Sequence, residues 1–222
     1  WEEFDPIICY LEEQHRQNDD DFLDILNAIR SDEVRRNHAE KLLSRQGADL
    51  GTLGAITELH TTNVDVDAIN KQQLANLKGK EHHFAMATTG KSHYVESLQR
   101  SCLALEDLVL KEGALVMCVK NNPEKKYVNG TLGTVVDFDS ATDYPIIKLL
   151  NGRELTITPE TWELRDGDKK RAGLVQIPLR LAWAITVHKS QGMTLDAARI
   201  DLRRDLIEGM GYVALSRVRR LD

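Results

Sequence analysis

The sequence predicts an α/β fold in which a parallel sheet with helices on both faces is interrupted by a small antiparallel β-barrel. Three observations carry this expectation. Ala184-Ile185-Thr186-Val187-His188-Lys189-Ser190-Gln191-Gly192-Met193-Thr194-Leu195-Asp196 and Gly211-Tyr212-Val213-Ala214-Leu215-Ser216-Arg217-Val218-Arg219 each run from apolar residues into a dense cluster of small polar and basic ones. A buried element that delivers side chains to a phosphate-rich ligand at its exposed end has this pattern. Gly54 through Leu59 reads as a short strand, followed by a polar turn and a helix from Val64 through Leu77. From Tyr127 to Leu164, short β-type runs are broken by the hairpin dipeptides Asn129-Gly130 and Asn151-Gly152.

The remaining elements follow in order. Residues 7–50 read as helical, with Phe22, Ile25, Leu26 and Ile29 at three-to-four spacing behind an Asp19-Asp20-Asp21 cluster suited to a helix N-terminus. The region 80–113 has no clear period. Ala114 through Val119 is continuously apolar, which fits a strand of a parallel sheet covered on both faces. Val135-Val136 and Ile146-Ile147 lie between the hairpin signals, and Leu155-Thr156-Ile157-Thr158 alternates. A charged loop, Arg165 through Arg171, then leads back to the main sheet.

Composition sets further bounds. With 222 residues the chain can bury a core, and 41% hydrophobic with 29% charged residues is ordinary for a globular protein. No apolar run approaches the roughly eighteen residues of a membrane span. The acidic opening Trp1-Glu2-Glu3-Phe4-Asp5 is unlike a signal peptide, so a cytoplasmic location is expected. Cys9, Cys102 and Cys118 are far apart and suggest buried apolar fillers rather than a zinc site or disulfide framework. The net charge of −6 is unevenly spread: residues 1–50 carry 6 Lys+Arg against 13 Asp+Glu, and residues 165–222 carry 12 against 7. A polyanion should meet the C-terminal part.

The two polar clusters resemble motifs V and VI of superfamily 1 helicases, in the version T-x-H-K-S-Q-G followed by Y-V-A-L-S-R. That version occurs in the branch containing Pif1-like, RecD-like and Dda-like DNA helicases. Leu110-Lys111-x-Gly113-Ala114-x-Val116-Met117, Lys120-Asn121 and Asn129-Gly130-x-x-Gly133-x-Val135 are similar to the run before motif V in Pif1-like helicases, where an SH3-like barrel interrupts the second RecA-like domain. The resemblance implies a RecA-like domain (2A) over 1–120 and 174–222, with the barrel (2B) over 121–173. It further implies a superfamily 1B helicase that uses ATP and Mg²⁺ to move along single-stranded DNA, 5′ to 3′ as the branch generally does. The 222 residues would be half of that motor and inactive alone. The P-loop lysine and the Mg²⁺-binding acid would come from an N-terminal RecA-like partner domain, so the fragment itself is expected to hold no cofactor.

Phosphoryl transfer needs fixed positive charge on the γ-phosphate, which arginine supplies with a rigid fork. By resemblance Arg217, in Ala214-Leu215-Ser216-Arg217, reaches across the cleft between the motor domains, although alone it could be a solvated helix arginine. Arg16, in Leu11-Glu12-Glu13-Gln14-His15-Arg16-Gln17, resembles the motif IV arginine that also meets the γ-phosphate. An ordinary surface arginine is the alternative. His15 stands where the family has an aromatic residue facing adenine, which leaves stacking in doubt. Gln191 and Gly192 are implied near the nucleotide, and Thr186, His188 and Ser190 at the backbone of one DNA strand, where contacts hold without reading sequence. His188 could instead satisfy a buried hydrogen bond, and Lys189 could be a phosphate contact or a solvated lysine. Thr61, Thr62 and Asn63 fall in a segment that resembles the family's T-x-x-N-x-x-V-x-x-I-N pattern, at a strand end and helix start that would suit a phosphate or merely cap the helix.

Other features weigh less. Ala85-Met86-Ala87-Thr88-Thr89-Gly90-Lys91-Ser92 nearly spells a P-loop, but Ala85 stands where the first glycine belongs. His82, His83 and His93 lack the carboxylate or thiol spacing of a metal site. Trp183 and Tyr212 suit core packing, whereas Trp162 could equally stack on a base. Two rival readings are a non-catalytic nucleic-acid or protein adaptor that keeps the fold, and a self-contained NTPase built on Lys91.

Overall fold

The computed structural model describes residues 4, 7, 9, 15–48, 56–61, 63–124, 127–195, 197–201 and 209–221. The helical reading of the N-terminal region resolves into two helices, α1 (Asp20–Arg30) and α2 (Arg36–Leu43). Asp19 caps α1 by accepting the Phe22 amide at 3.0 Å, and Phe22, Ile25 and Leu26 are buried as their spacing predicts. The helix ends because Asp32 takes a left-handed φ of 57°, with Glu33 N bonding back to Ala28 O at 2.8 Å. His38 of α2 is buried and its Nε2 lies 3.1 Å from Asp24, which ties the two helices together.

A parallel sheet forms from β1 (Thr57–His60), with β12 (Ala184–Thr186) on one side and β13 (Ala198–Ile200) on the other. Of the expected Gly54–Leu59 strand, Gly54 and Ala55 lie outside the described residues. Between β1 and β12 in sequence, α3 (Asn63–Asn76) packs on both strands. Asn70 fixes its position: Nδ2 donates to Ala184 O at 2.8 Å and Oδ1 accepts from Ala184 N at 3.1 Å. Since β1 and β12 are parallel, the start of α3 and the loop after Thr186 lie at one edge of the sheet.

The remaining strands are antiparallel. β2 (His82–Ala85) pairs with β4 (Asp107–Leu110). β3 (Ala87–Gly90) pairs with β10 (Lys169–Gln176), which pairs with β9 (Glu160–Asp166), and α4 (Ser92–Ser101) covers this sheet. β5 (Leu115–Cys118), β6 (Leu132–Phe138), β7 (Pro145–Leu149), β8 (Glu154–Thr156) and β11 (Leu179–Leu181) form a five-stranded sheet in the order β11-β5-β6-β7-β8. The short helix α5 (Met210–Leu215) packs against α1. Asn129-Gly130 and Asn151-Gly152 are turns, with both glycines at positive φ.

Three expectations are corrected. β5 is buried along its whole length but pairs antiparallel with β6 and β11, not within the parallel sheet. Its apolar character comes from facing two cores: Val116 and Cys118 join one cluster, Leu115 and Met117 the cluster under β12. The charged stretch 165–171 is no loop but the tip of the β9–β10 hairpin, turning at Gly167 with φ 58°. Of the cysteines only Cys118 is buried; Cys9 is exposed and Cys102 half-buried. The P-loop look-alike, as its sequence already suggested, is not a phosphate loop: it runs from the end of β2 through strand β3 to the start of α4, and its Gly90 is required by close approach to β10, since a Cβ there would lie 2.5 Å from Arg171 O. Among the described residues no helix is long and apolar enough to cross a membrane.

Asp19 also accepts the Leu221 amide at 3.1 Å, so it pins the chain after α5 to the start of α1. The Leu221 bond first, and the Phe22 bond second, hold its carboxyl below the ordinary carboxylate range. Such a group adds stability above its unfolded pKa of about 3.9, lost as pH falls through the lower folded value. Asp19→Ala is expected to lose about 1 kcal/mol at neutral pH. Urea denaturation across the acid range should also show a shallower fall in stability below about pH 4 than in the parent protein.

Candidate functional site

Ser216, the residue that ends α5, is the meeting point of segments some two hundred positions apart. Its carbonyl accepts from Arg16 Nη1 at 3.2 Å and from Gln17 Nε2 at 3.1 Å. Its hydroxyl accepts from Arg217 Nη2 at 2.7 Å and donates to Val213 O at 3.0 Å. Arg217 spans further: Nε donates to Val213 O at 2.8 Å and Nη1 to Ser190 O at 3.4 Å. Arg16 Nε reaches Thr194 Oγ1 at 3.1 Å. Two guanidinium groups from opposite ends of the chain therefore converge on one serine and touch the same loop.

This convergence has an electrostatic cost. Arg217 is only 9% exposed, and burial first, then the charge of Arg16, pull it below the ordinary arginine range. Like charges held together in a desolvated place favour an anion between or beside them.

The loop after β12 is built by its own hydroxyls. Thr186 Oγ1 accepts from Lys189 N at 3.3 Å, and Ser190 Oγ donates to Val187 O at 2.7 Å; both residues are buried. Both hydroxyls help to fold the turn, Ser190 as a donor and Thr186 as an acceptor. His188, Gln191 and Gly192 are exposed, and Gly192 has φ 78°, a conformation that favours glycine. Exposure removes the reading of His188 as a buried hydrogen-bonder. Lys189 is half-buried and drawn below the ordinary lysine range, by burial first and Arg180 second. Thr61 follows β1 at the same edge, Asn63 opens α3, and Thr62 lies outside the described residues. His15 is exposed.

The loop is also clamped from outside. Leu195 N bonds Arg217 O at 2.9 Å, and Leu195 bridges Val218, joining the two polar segments by backbone. On the other side the Asn129-Gly130 turn presses on it: a Cβ at Gly130 would lie 2.9 Å from Thr194 O. Gln17 and Thr194 received no role from sequence, and Gly130 was read only as a turn residue. Gln17 carries no signal beyond standing next to Arg16, and the Gly130 contact is long-range. Trp183 packs between two cores and Tyr212 against α1, whereas Trp162 is half-buried with Lys120 Nζ 5.0 Å above its ring.

A parallel sheet whose strand-end loops carry polar and basic residues to one edge, joined to antiparallel sheets, fits a RecA-like α/β domain. A family profile described as "DNA helicase Pif1, 2B domain" matches residues 93–138. Human ATP-dependent DNA helicase PIF1 is 37% identical across the whole chain, which covers 35% of that protein. The structure of Bacteroides sp Pif1 in complex with ADP-AlF4 superposes with a TM-score of 0.79 at 29% identity, over 94% of this chain and 49% of that one. Bacteroides Pif1 in complex with ADP-AlF3 and ssDNA gives a TM-score of 0.60 at 30% identity, over 94% of this chain and 49% of that one. Along nearly its whole length the chain is similar to Pif1 DNA helicases, and it spans less than half the length of these relatives.

Gly130→Ala is expected to destabilise the protein by about 1–3 kcal/mol more than Gly152→Ala. Both positions have positive φ, but nothing lies within 4 Å of a Cβ at Gly152, so the difference in denaturation free energy isolates the contact with Met193 and Thr194.

Proposed function

We propose that this chain is the second motor domain of an ATP-dependent DNA helicase that moves along single-stranded DNA, 5′ to 3′ by resemblance to its branch. Arg16 and Arg217 supply positive charge to the γ-phosphate of an ATP held by the preceding RecA-like domain. Gln191 and Gly192 border that nucleotide, and His15 lies beside its base. His188 and Lys189, with Thr61, Thr62 and Asn63, hold the backbone of the strand on a loop that Thr186 and Ser190 fold. The carrying observation is the joint seat of Arg16 and Arg217 on Ser216, with Arg217 bonded directly to the loop that would grip DNA.

This arrangement supports a coupling of fuel to grip. An incoming γ-phosphate competes with Val213 O, Ser190 O and Ser216 Oγ for the Arg217 guanidinium. Because Ser190 O belongs to the DNA-facing loop, withdrawing Arg217 from it loosens that loop, and loss of the γ-phosphate restores the bond. ATP hydrolysis needs Mg²⁺, yet the described residues contain no group of three His, Cys, Asp or Glu side chains that could hold a metal. The groups this chain places at the site are cationic and suited to phosphate oxygens, and the proposed step runs through them alone.

Arg217→Ala in the full-length enzyme is expected to lower ATP turnover by about 10³-fold or more and, because the bond to Ser190 O is lost for good, to leave affinity for single-stranded DNA weakened and no longer responsive to nucleotide. Arg217→Lys should not restore turnover, since a point charge cannot reproduce the planar fork. Wild-type turnover in Arg217→Ala would refute the assignment.

A further inference from the structure

Arg180 sits in the middle of β11, flanked by Leu179 and Leu181, whose side chains join the first core cluster. The alternation of a strand turns Arg180 to the opposite face. Its register partner there is Met117, and Ala182 shares that face; both belong to the cluster beneath β12, with Ile185 and Val187. An arginine is thus inserted at the apolar layer that carries the DNA-facing loop. It is 5% exposed, and its Nε is buried with no hydrogen-bond partner among the described residues.

The other buried cations differ. Lys111 donates to Leu77 O at 3.3 Å and faces Glu81 at the same distance, and Arg217 has three acceptors. Arg180 instead lies within electrostatic reach of a second cation, Lys189, with the exposed Asp67 of α3 opposing both. A buried, incompletely paired arginine beside a lysine is destabilising, and methionine would fill the place better. A charge kept at such cost would be stabilised by an anion brought to it.

We propose that Arg180 and Lys189 form a phosphodiester seat behind the 188–192 loop, in which Arg180 holds one backbone phosphate of the bound strand from within the core. This deepens, and rests on, the reading of that loop as a single-strand grip. The chemistry required is a phosphate oxyanion, which inorganic phosphate could also provide.

The test compares full-length wild type, Arg180→Met, Arg180→Lys and Lys189→Ala for binding of a fluorescein-labelled oligo(dT) over a salt series, with melting temperatures measured with and without inorganic phosphate. Arg180→Met is expected to bind about tenfold more weakly. Its salt slope should be shallower by about 0.7, the loss of one phosphate contact on a single strand. Its melting temperature should be equal or higher, because an uncompensated buried charge is gone. Arg180→Lys should keep most of the slope. If Arg180→Met keeps wild-type affinity and slope while Lys189→Ala loses both, the seat is refuted and the grip stands. A lower melting temperature with unchanged slope would make Arg180 structural and also refute the seat. Failure of wild type to bind oligo(dT) would overturn both readings. An Arg180-dependent rise of the melting temperature in phosphate, without any effect on oligo(dT) binding, would assign the seat to free phosphate and overturn the DNA contact.

Discussion

The fold is organised around the bonds that gather on Ser216. Its carbonyl holds the N-terminal segment through Arg16 and Gln17, its hydroxyl holds Arg217, and Arg217 holds the loop after β12 through Ser190 O. Each bond alone is modest, about 1 kcal/mol net, and somewhat more where the donor is charged. Their effect comes from sharing one residue, because a shift of any member changes the acceptors left for the others. Against them stands repulsion between two guanidinium groups in a half-dry place. That balance keeps the cations together while leaving them a reason to exchange partners for a bound anion.

Several features extend this hub outward. Asp19 connects the start of α1 to Leu221, so the segment carrying Arg16 is fixed at both its contacts with the C-terminal part. Gly130 brings the antiparallel unit down on Thr194, whose hydroxyl is also the partner of Arg16 Nε. A line of contacts thus runs from the Asn129-Gly130 turn through one loop residue to Arg16. Asn70 performs the matching task on the other flank, where it bonds both backbone groups of Ala184 and sets α3 against the strand that leads into the loop.

Much of this was legible in the sequence because it is local. The spacing of Phe22, Ile25 and Leu26 with the preceding Asp19 gave α1 and its cap, and the two polar clusters and their order carried the family resemblance. What escaped was set by distant partners. The apolar run at β5 has the same appearance whether its two covering layers flank a parallel or an antiparallel sheet, and only pairing with β6 and β11 decides. The charged composition of 165–171 hid a hairpin, although Asp166-Gly167 is a turn dipeptide of the kind read elsewhere in the chain. That the hydroxyls of Thr186 and Ser190 help to fold the loop was likewise invisible, because their partners are backbone groups that only the turn brings close. Arg180 did leave a readable trace, since a lone charge inside Ile177-Pro178-Leu179-Arg180-Leu181-Ala182 breaks an apolar run.

The central claim is that Arg16 and Arg217 act as one cationic unit on a single phosphate. A double-mutant cycle on ATP turnover by the full-length enzyme, using Arg16→Ala, Arg217→Ala and both together, addresses it most directly. Groups that serve one transition state as a unit are strongly non-additive, so the double variant should be scarcely slower than the worse single variant. Losses that simply multiply would contradict the account and make the two arginines independent.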